Sequence, residues 1–158
     1  MITKKILLIG DFNVGKTSLI RRYVDNTFDD SYLTTIGVKI SKKNVKIDEI
    51  ECQLMIWDIE GTTAIKKIPL AYMKGASGSI FVGDVTRQET IENLAGHIET
   101  FLDLNPNSKY VIAYNKSDML TATQQEQFEL NEKSFFSSAK ENLNVDTMFK
   151  QLVKEMVL

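Results

Sequence analysis

The chain has 158 residues, of which 43% are hydrophobic and 25% are charged, and its formal net charge is −2. These values are typical of one globular domain, which we expect to span residues 1–158. The lack of a basic excess disfavours nucleic acid as a partner. The single cysteine, Cys52, excludes an intrachain disulfide and a cysteine-rich metal site. No apolar run reaches the roughly 20 residues of a membrane span, so a cytoplasmic location is expected.

Strand-like and helix-like segments alternate along the chain, which predicts an α/β layer fold. The predicted strands cover residues 2–9, 36–47, 50–57, 79–85, 109–114 and 134–137. The second and third form a hairpin, with Asp48 and Glu49 at its turn. The predicted helices cover residues 15–23, 90–104, 123–130 and 145–157. In such open sheets a ligand binds beyond the carboxyl ends of the parallel strands, so the loops that follow them are candidate sites.

A glycine-rich stretch over residues 10–17 directly follows the first predicted strand. Its pattern, G-x-x-x-x-G-K-[ST] between a strand and a helix, predicts a phosphate-binding loop. Backbone N–H groups and the helix N-terminus would face a polyphosphate, Lys16 would reach its end, and the Thr17 hydroxyl would ligate Mg²⁺. A plain glycine turn is the alternative. The predicted ligand-binding residues here are Asp11, Phe12, Asn13, Val14, Gly15, Lys16, Thr17 and Ser18.

The strand predicted over residues 50–57 is followed by the motif D-x-x-G at Asp58 to Gly61. An aspartate that faces a phosphate loop from a strand end can hold Mg²⁺ through a water molecule. Gly61 offers a backbone N–H that can approach a terminal phosphate closely, because no Cβ obstructs it. The motif is weak alone and becomes informative only after a phosphate loop.

Two further motifs follow the last two predicted strands. The first is N-K-S-D, in which the Asp118 carboxylate can accept two hydrogen bonds from guanine, a donor pair that adenine lacks. Asn115 can tie this loop to the phosphate loop, and the stem of Lys116 can lie along the base. A polar turn is the alternative. The second motif is Ser138, Ala139 and Lys140, in which the N–H of Ala139 can donate to guanine O6.

These motifs, in this order, resemble those of the Ras superfamily of small GTPases, and most closely its Rab branch. The Rab-like stretches are Thr35-Ile36-Gly37-Val38, Trp57 before the aspartate, Tyr72 with Gly75-Ala76, and Asp84-Val85-Thr86. The resemblance implies a three-layer Ras-like fold, with a mostly parallel six-stranded sheet, one antiparallel strand and flanking helices. It also implies a monomeric GTP/GDP switch that needs Mg²⁺ and serves membrane trafficking or signalling. Any membrane association would depend on a tail or partner outside this chain.

The resemblance assigns roles to further residues. It implies that Phe28 packs against the guanine, that Tyr32 closes over the phosphates, and that Thr35 ligates Mg²⁺ and meets the γ-phosphate. Release of Thr35 after phosphate loss would form the switch. Effectors, exchange factors and activating proteins would bind through the switch regions, with a patch around Ile40, Trp57 and Tyr72. For Ile40 and Tyr72 the alternative is simple core packing.

The chain departs from the family where GTP is hydrolysed. Thr62 stands where the family places the glutamine that orients the attacking water, and Phe12 would crowd an incoming arginine finger. We therefore expect slow hydrolysis, with Lys16, Thr35, Gly61 and Thr62 as the candidate catalytic residues. A hydrolysis-deficient scaffold is the main alternative, and Asp118 and Ala139 disfavour an ATPase or small-molecule kinase. The only histidine, His97, is expected on a helix away from the ligand edge.

Overall fold

The structure, a computed structural model, describes residues 1–26, 38–59 and 69–158. Its strands are β1 (Ile2–Ile9), β2 (Val38–Ile47), β3 (Ile50–Ile59), β4 (Gly78–Asp84), β5 (Lys109–Asn115) and β6 (Ser134–Phe136). Its helices are α1 (Lys16–Asp25), α2 (Leu70–Met73), α3 (Gln88–Glu92), α4 (Leu94–Leu104), α5 (Ala122–Gln125) and α6 (Val145–Val157), with a 3₁₀ turn at Ser117–Met119.

The strands form one six-stranded sheet in the order β2-β3-β1-β4-β5-β6. β2 pairs antiparallel with β3, and the other neighbouring pairs are parallel. The predicted fold class is therefore confirmed. The parallel strands end at one edge of the sheet, and the loops that follow β1, β3, β4, β5 and β6 carry the residues of interest.

Helices cover both faces of the sheet, because its central strands are apolar on both sides. β1 turns Ile6 and Leu8 toward α1 and α6, whose buried residues include Leu19 and Phe149. On the other face, Leu7 and Ile9 belong to a second core cluster with residues of α2 and α4. All seven residues of β4 are buried, as expected for a strand covered on both faces.

The hairpin of β2 and β3 turns at Asp48 and Glu49, as predicted, with Asp48 in the left-handed region at φ 51°. Cys52, Leu54 and Ile56 share the buried face of β3. The strand runs two residues beyond its predicted end, so that Asp58 lies within it and pairs with Lys39. Positions 36 and 37, predicted to open β2, lie outside the described residues.

The prediction of a single helix over residues 90–104 is wrong. The segment forms two helices, α3 beginning at Gln88 and α4 beginning after a break at Asn93. The Thr90 hydroxyl donates to the carbonyls of Asp84 and Arg87, which turns the chain into a helix before Thr90 is reached. At the break, the Asn93 side chain donates to Asp11 of the phosphate loop. The break thus coincides with a tertiary contact that helical periodicity does not reveal.

The compact helix predicted over residues 123–130 is shorter in the structure, where α5 ends at Gln125. A capping box between Thr121 and Gln124 starts it. Phe128 then packs against Tyr114 and Phe136 of the sheet, and this packing draws the chain away from the helix axis. The final helix has its predicted bounds. Within the described residues, no helix is long and apolar enough to cross a membrane.

Candidate functional site

The loop between β1 and α1 surrounds the buried amine of Lys16. The side chain is only 5% exposed, and its Nζ donates to the carbonyls of Gly10 and Asp11, both at 3.0 Å. Burial lowers the pKa of Lys16 to about 8, against the smaller opposing effects of nearby Asp58 and Asp11. A buried cation at the mouth of such a loop favours an anionic ligand, because an added negative charge would offset the desolvation of the amine.

The N-terminus of α1 is built to accept an anion. Its N-cap residue is Gly15, which has no side chain to accept from the first N–H groups of the helix. Gly15 has φ 104°, and a Cβ there would lie 2.3 Å from Nδ2 of Asn115, so only glycine fits this turn. Within the loop Val14 is fully buried, and Ser18 is half-buried in the first helical turn. The turn at Gly15 is compatible with a phosphate-binding loop, and the contacts of these residues with a ligand stay predictions.

Thr17 and Asp58 bring two hard oxygen donors together from different elements. The Thr17 hydroxyl donates to Oδ2 of Asp58 at 2.6 Å. Asp58 is buried at the end of β3, which pairs with β1 and so places its carboxylate beside the phosphate loop. Hydroxyl and carboxylate oxygens are the donor types that Mg²⁺ prefers. The residues predicted to hold the metal from these two elements fit that cation.

Asn115 joins the loop after β5 to the phosphate loop. Its Nδ2 donates to the carbonyl of Val14 at 3.0 Å, and its Oδ1 accepts from the Ser137 hydroxyl at 3.1 Å. Asn115 is 2% exposed and Ser137 is fully buried. The sequence predicts that Asn115 ties its loop to the phosphate loop. It does not reveal Ser137, which links the loop after β6 to the same amide.

The loops after β5 and β6 also meet at Asp118. The Ser138 hydroxyl donates to Oδ1 of Asp118 at 2.7 Å. Arg22 of α1 holds the second loop in place, since its guanidinium donates to the carbonyls of Ala139 at 2.8 Å and Lys140 at 3.0 Å. Four residues predicted to lie at the base, Asp118, Ser138, Ala139 and Lys140, therefore belong to one hydrogen-bonded cluster with Arg22, which the motifs do not reveal.

Lys116 and Arg87 both contact the phosphate loop from outside. Lys116 is in the left-handed region at φ 63°, and its Nζ donates to the carbonyl of Asn13 at 3.1 Å. Nη2 of Arg87 donates to the carbonyl of Phe12 at 2.7 Å. Both cations also pair with the buried carboxylate of Asp84. The sequence could have pointed to Asp84, because it ends β4 at the same edge at which Asp58 ends β3.

His97 does not lie away from the ligand edge, so this expectation is corrected. Its Nε2 is 2.9 Å from Oδ1 of Asp11, and Nδ2 of Asn93 donates to Oδ2 of the same carboxylate at 2.7 Å. The Asp11 side chain therefore points out of the loop toward α4. Long-range packing of α4 against the loop produces this contact, and helical periodicity does not reveal it.

An apolar patch runs from β2 across β3 to α2. Ile40 is 45% exposed and lies opposite Trp57 in the strand register, and Tyr72 is 36% exposed. The rings of Trp57 and Tyr72 are 6.2 Å apart, and the Lys5 amine lies 3.8 Å from the Trp57 ring. The alternative of core packing for Ile40 and Tyr72 is therefore wrong.

The remaining predicted site residues lie outside the described residues. They are Phe28, Tyr32, Thr35, Gly61 and Thr62. Their assigned roles stay predictions.

The sheet topology and the loop around Lys16 define an α/β protein of the phosphate-loop class. A model of the Ras family matches residues 5–158. The chain is 39% identical over 157 residues to the Ras-related protein SEC4 of Saccharomyces cerevisiae, covering 95% of this chain and 73% of that one. It is 34% identical over 162 residues to rat Rab-13, with 98% and 80% covered. It is 36% identical over 163 residues to RABE1d of Arabidopsis thaliana, with 96% and 74% covered. The chain belongs to the Ras family and lies near its Rab branch.

Proposed function

We propose that residues 1–158 form a single domain that binds GDP or GTP with Mg²⁺ and acts as a molecular switch with slow GTP hydrolysis. The observation that carries this proposal is the hydrogen bond from Asn115 to the carbonyl of Val14. It couples the loop suited to a base with the loop suited to phosphates, so that one ligand with both parts would bridge them.

Preference for guanine is supported by the cluster at Asp118. The hydrogen bond from Ser138 orients the carboxylate and leaves it oxygen lone pairs for the N1–H and amine of guanine. The carbonyl of Ala139 is engaged by Arg22, which fixes the peptide loop whose N–H would donate to guanine O6. Adenine has an acceptor at N1, no amine at C2 and an amine in place of O6, which disfavours an ATPase or small-molecule kinase.

Magnesium binding is supported by the oxygen atoms of Thr17 and Asp58. The hydroxyl would ligate the cation directly, and the carboxylate would hold one of its water molecules. We propose Thr35 as a further ligand of the triphosphate-bound state. When bound, Mg²⁺ neutralises part of the charge on the terminal phosphates. Lys16 supplies the second positive charge from the protein itself.

We propose slow hydrolysis because of the side chain at position 62, where the family places the glutamine that orients the attacking water. Thr62 has no amide that can both accept from water and donate to phosphate. Lys16, Thr35 and Gly61 would still stabilise charge on the phosphates, so residual turnover is proposed rather than none. The alternative, a scaffold without turnover, shares every binding contact and differs only in this rate.

A role in membrane trafficking or signalling is proposed through the patch of Ile40, Trp57 and Tyr72. Ile40 on β2 and Tyr72 on α2 are exposed beside the half-buried Trp57, and such apolar and aromatic side chains at a surface are suited to protein recognition. We propose that effectors bind there in the triphosphate-bound state.

The decisive experiment identifies the nucleotide that copurifies with the protein and then measures binding to verified nucleotide-free material. Calorimetry with Mg²⁺ and each of GDP, GTP, ADP and ATP should give heat for the guanine nucleotides alone. Copurified GTP would indicate impaired turnover, and GDP would indicate competent hydrolysis. If neither guanine nucleotide gives heat or thermal protection, the proposal fails. If ATP displaces GDP at equal concentration, an ATPase or small-molecule kinase becomes the better interpretation.

A further inference from the structure

The carboxylate of Asp84 is buried at the carboxyl end of β4, with its side chain 2% exposed. Its Oδ1 accepts from the backbone N–H of Thr86 at 2.9 Å and from the Thr86 hydroxyl at 2.6 Å. Its Oδ2 lies 3.2 Å from Nε of Arg87 and 2.9 Å from Nζ of Lys116. One buried anion therefore organises two cations at the edge of the sheet where the phosphate loop lies.

Both cations that pair with Asp84 also donate hydrogen bonds to the phosphate loop. Arg87 donates to the carbonyl of Phe12 at 2.7 Å, and Lys116 donates to the carbonyl of Asn13 at 3.1 Å. The two carbonyls are consecutive along the chain. Arg87 uses different nitrogen atoms for Asp84 and for Phe12, so its planar guanidinium acts as a rigid spacer.

When a side chain holds one of these carbonyls, it also fixes the direction of the N–H group in the same peptide. In a planar trans peptide the C=O of one residue and the N–H of the next point in opposite directions. The carbonyl of Phe12 thus orients the N–H of Asn13, and the carbonyl of Asn13 orients the N–H of Val14. Asn13 is in the left-handed region at φ 62°, the conformation that, beside a right-handed neighbour, lets successive N–H groups converge on an anion.

We propose that Asp84 is a positioning residue for the phosphate loop. Through Arg87 and Lys116 it holds the carbonyls of Phe12 and Asn13 outward, so that the loop keeps its N–H groups aimed at the phosphates. This inference rests on the proposed binding of guanine nucleotide. It assigns a function to Asp84 and Arg87, which touch neither base nor phosphate in the proposed complex.

The Asp84→Asn substitution tests the charge with little change in shape. An asparagine keeps Oδ1 for Thr86 but places an NH₂ group where Oδ2 contacts both Arg87 and Lys116. This removes the attraction, and both cations then face a donor. Arg87→Gln is the second variant, because it removes the cation that joins Asp84 to the carbonyl of Phe12 and leaves Lys116 in place. Glu89→Gln is the matched control, since it neutralises an exposed carboxylate on α3, two residues after Arg87.

The measurements are the release rate of a fluorescent GDP analogue, the affinities for GDP and GMP by competition, and the unfolding temperature of nucleotide-free protein. We expect Asp84→Asn to weaken GDP binding by about 10- to 100-fold, the effect of losing charge-assisted hydrogen bonds. Arg87→Gln should have a smaller effect in the same direction, and Glu89→Gln none. GMP should be affected much less, because a single phosphate uses fewer of the loop N–H groups.

Equal losses for GDP and GMP would overturn the inference, because they would indicate general damage to the site. Unchanged GDP release with only a lower unfolding temperature would also overturn it, since Asp84 would then serve folding alone. If Asp84→Asn does not fold, the same criteria apply to Arg87→Gln. Failure of the proposed function has a different signature, in which the wild-type protein itself binds neither GDP nor GTP.

Discussion

Nδ2 of Asn115 donates to the carbonyl of Val14 at 3.0 Å, across 101 positions of sequence. The bond is buried, and the same side chain accepts from Ser137, so one amide holds three loops in a fixed relation. No covalent bond near Asn115 holds the phosphate loop and the loop after β5 together. The relative position of the base-reading and phosphate-binding groups therefore depends strongly on this residue.

Replacing Asn115 by alanine should loosen the site and weaken the fold. It would leave the Val14 carbonyl and the Ser137 hydroxyl buried without their partner, at a cost of about 1–3 kcal/mol in the free energy of unfolding. We expect GDP release to accelerate at least about 10-fold, measured with a fluorescent analogue. Asn105→Ala is the control, because Asn105 makes a similar amide-to-carbonyl bond, to Met73, far from the site. Equal release rates in the two variants would contradict the coupling.

Substitution of Asp118 by asparagine should change which purine is bound. The amide can donate where the carboxylate only accepts, which matches xanthine and leaves the guanine amine without an acceptor. We expect GDP affinity to fall by about 100-fold or more and XDP affinity to rise, measured by competition at equal Mg²⁺. Asp103→Asn removes an exposed carboxylate elsewhere and should change neither affinity. Uniform loss of both nucleotides would show that Asp118 does not select the base.

Thr62→Gln should accelerate hydrolysis of bound GTP. A glutamine amide can accept from the attacking water and donate to the phosphate, which the threonine hydroxyl cannot do with the same reach. Single-turnover measurement of phosphate release should show a slow wild-type rate and a rate several-fold higher in the variant. Thr63→Gln tests the neighbouring position and should leave the rate unchanged. A fast wild-type rate that Thr62→Gln does not alter would refute the assignment of slow hydrolysis to this position.

Acid should remove the stabilisation contributed by Asp84. Burial disfavours its ionised form, but hydrogen bonds from Thr86 and Lys116 outweigh burial, and the pKa of Asp84 lies below its ordinary value. The unfolded carboxyl titrates near 3.9, so the stabilisation is complete above roughly pH 5 and is lost as the pH falls through the folded pKa. The stability difference between wild type and Asp84→Asn, from urea unfolding, should shrink as the pH falls. A stability difference that grows as the pH falls would contradict this prediction.

Most of the fold was predictable because its signals are local. Apolar runs of strand length, helical spacing and the turn at Asp48 are read within a few residues, and each predicted strand exists with small shifts at its ends. The errors fall where tertiary contacts override periodicity. Asn93 breaks the helix where its side chain reaches Asp11, and Phe128 ends α5 early by packing onto the sheet.

The sequence alone determined the residue types and order of the motifs, because phosphate loops and base-reading loops require particular side chains at fixed local spacings. Only the tertiary structure decided how Asp84, Arg87 and His97 relate to those loops. Asp84 and Asn115 lie opposite each other because β4 and β5 are parallel neighbours, which brings Lys116 beside the carboxylate. Such contacts join residues far apart in the chain, and their geometry follows from the packing of whole strands and helices rather than from any short stretch of sequence.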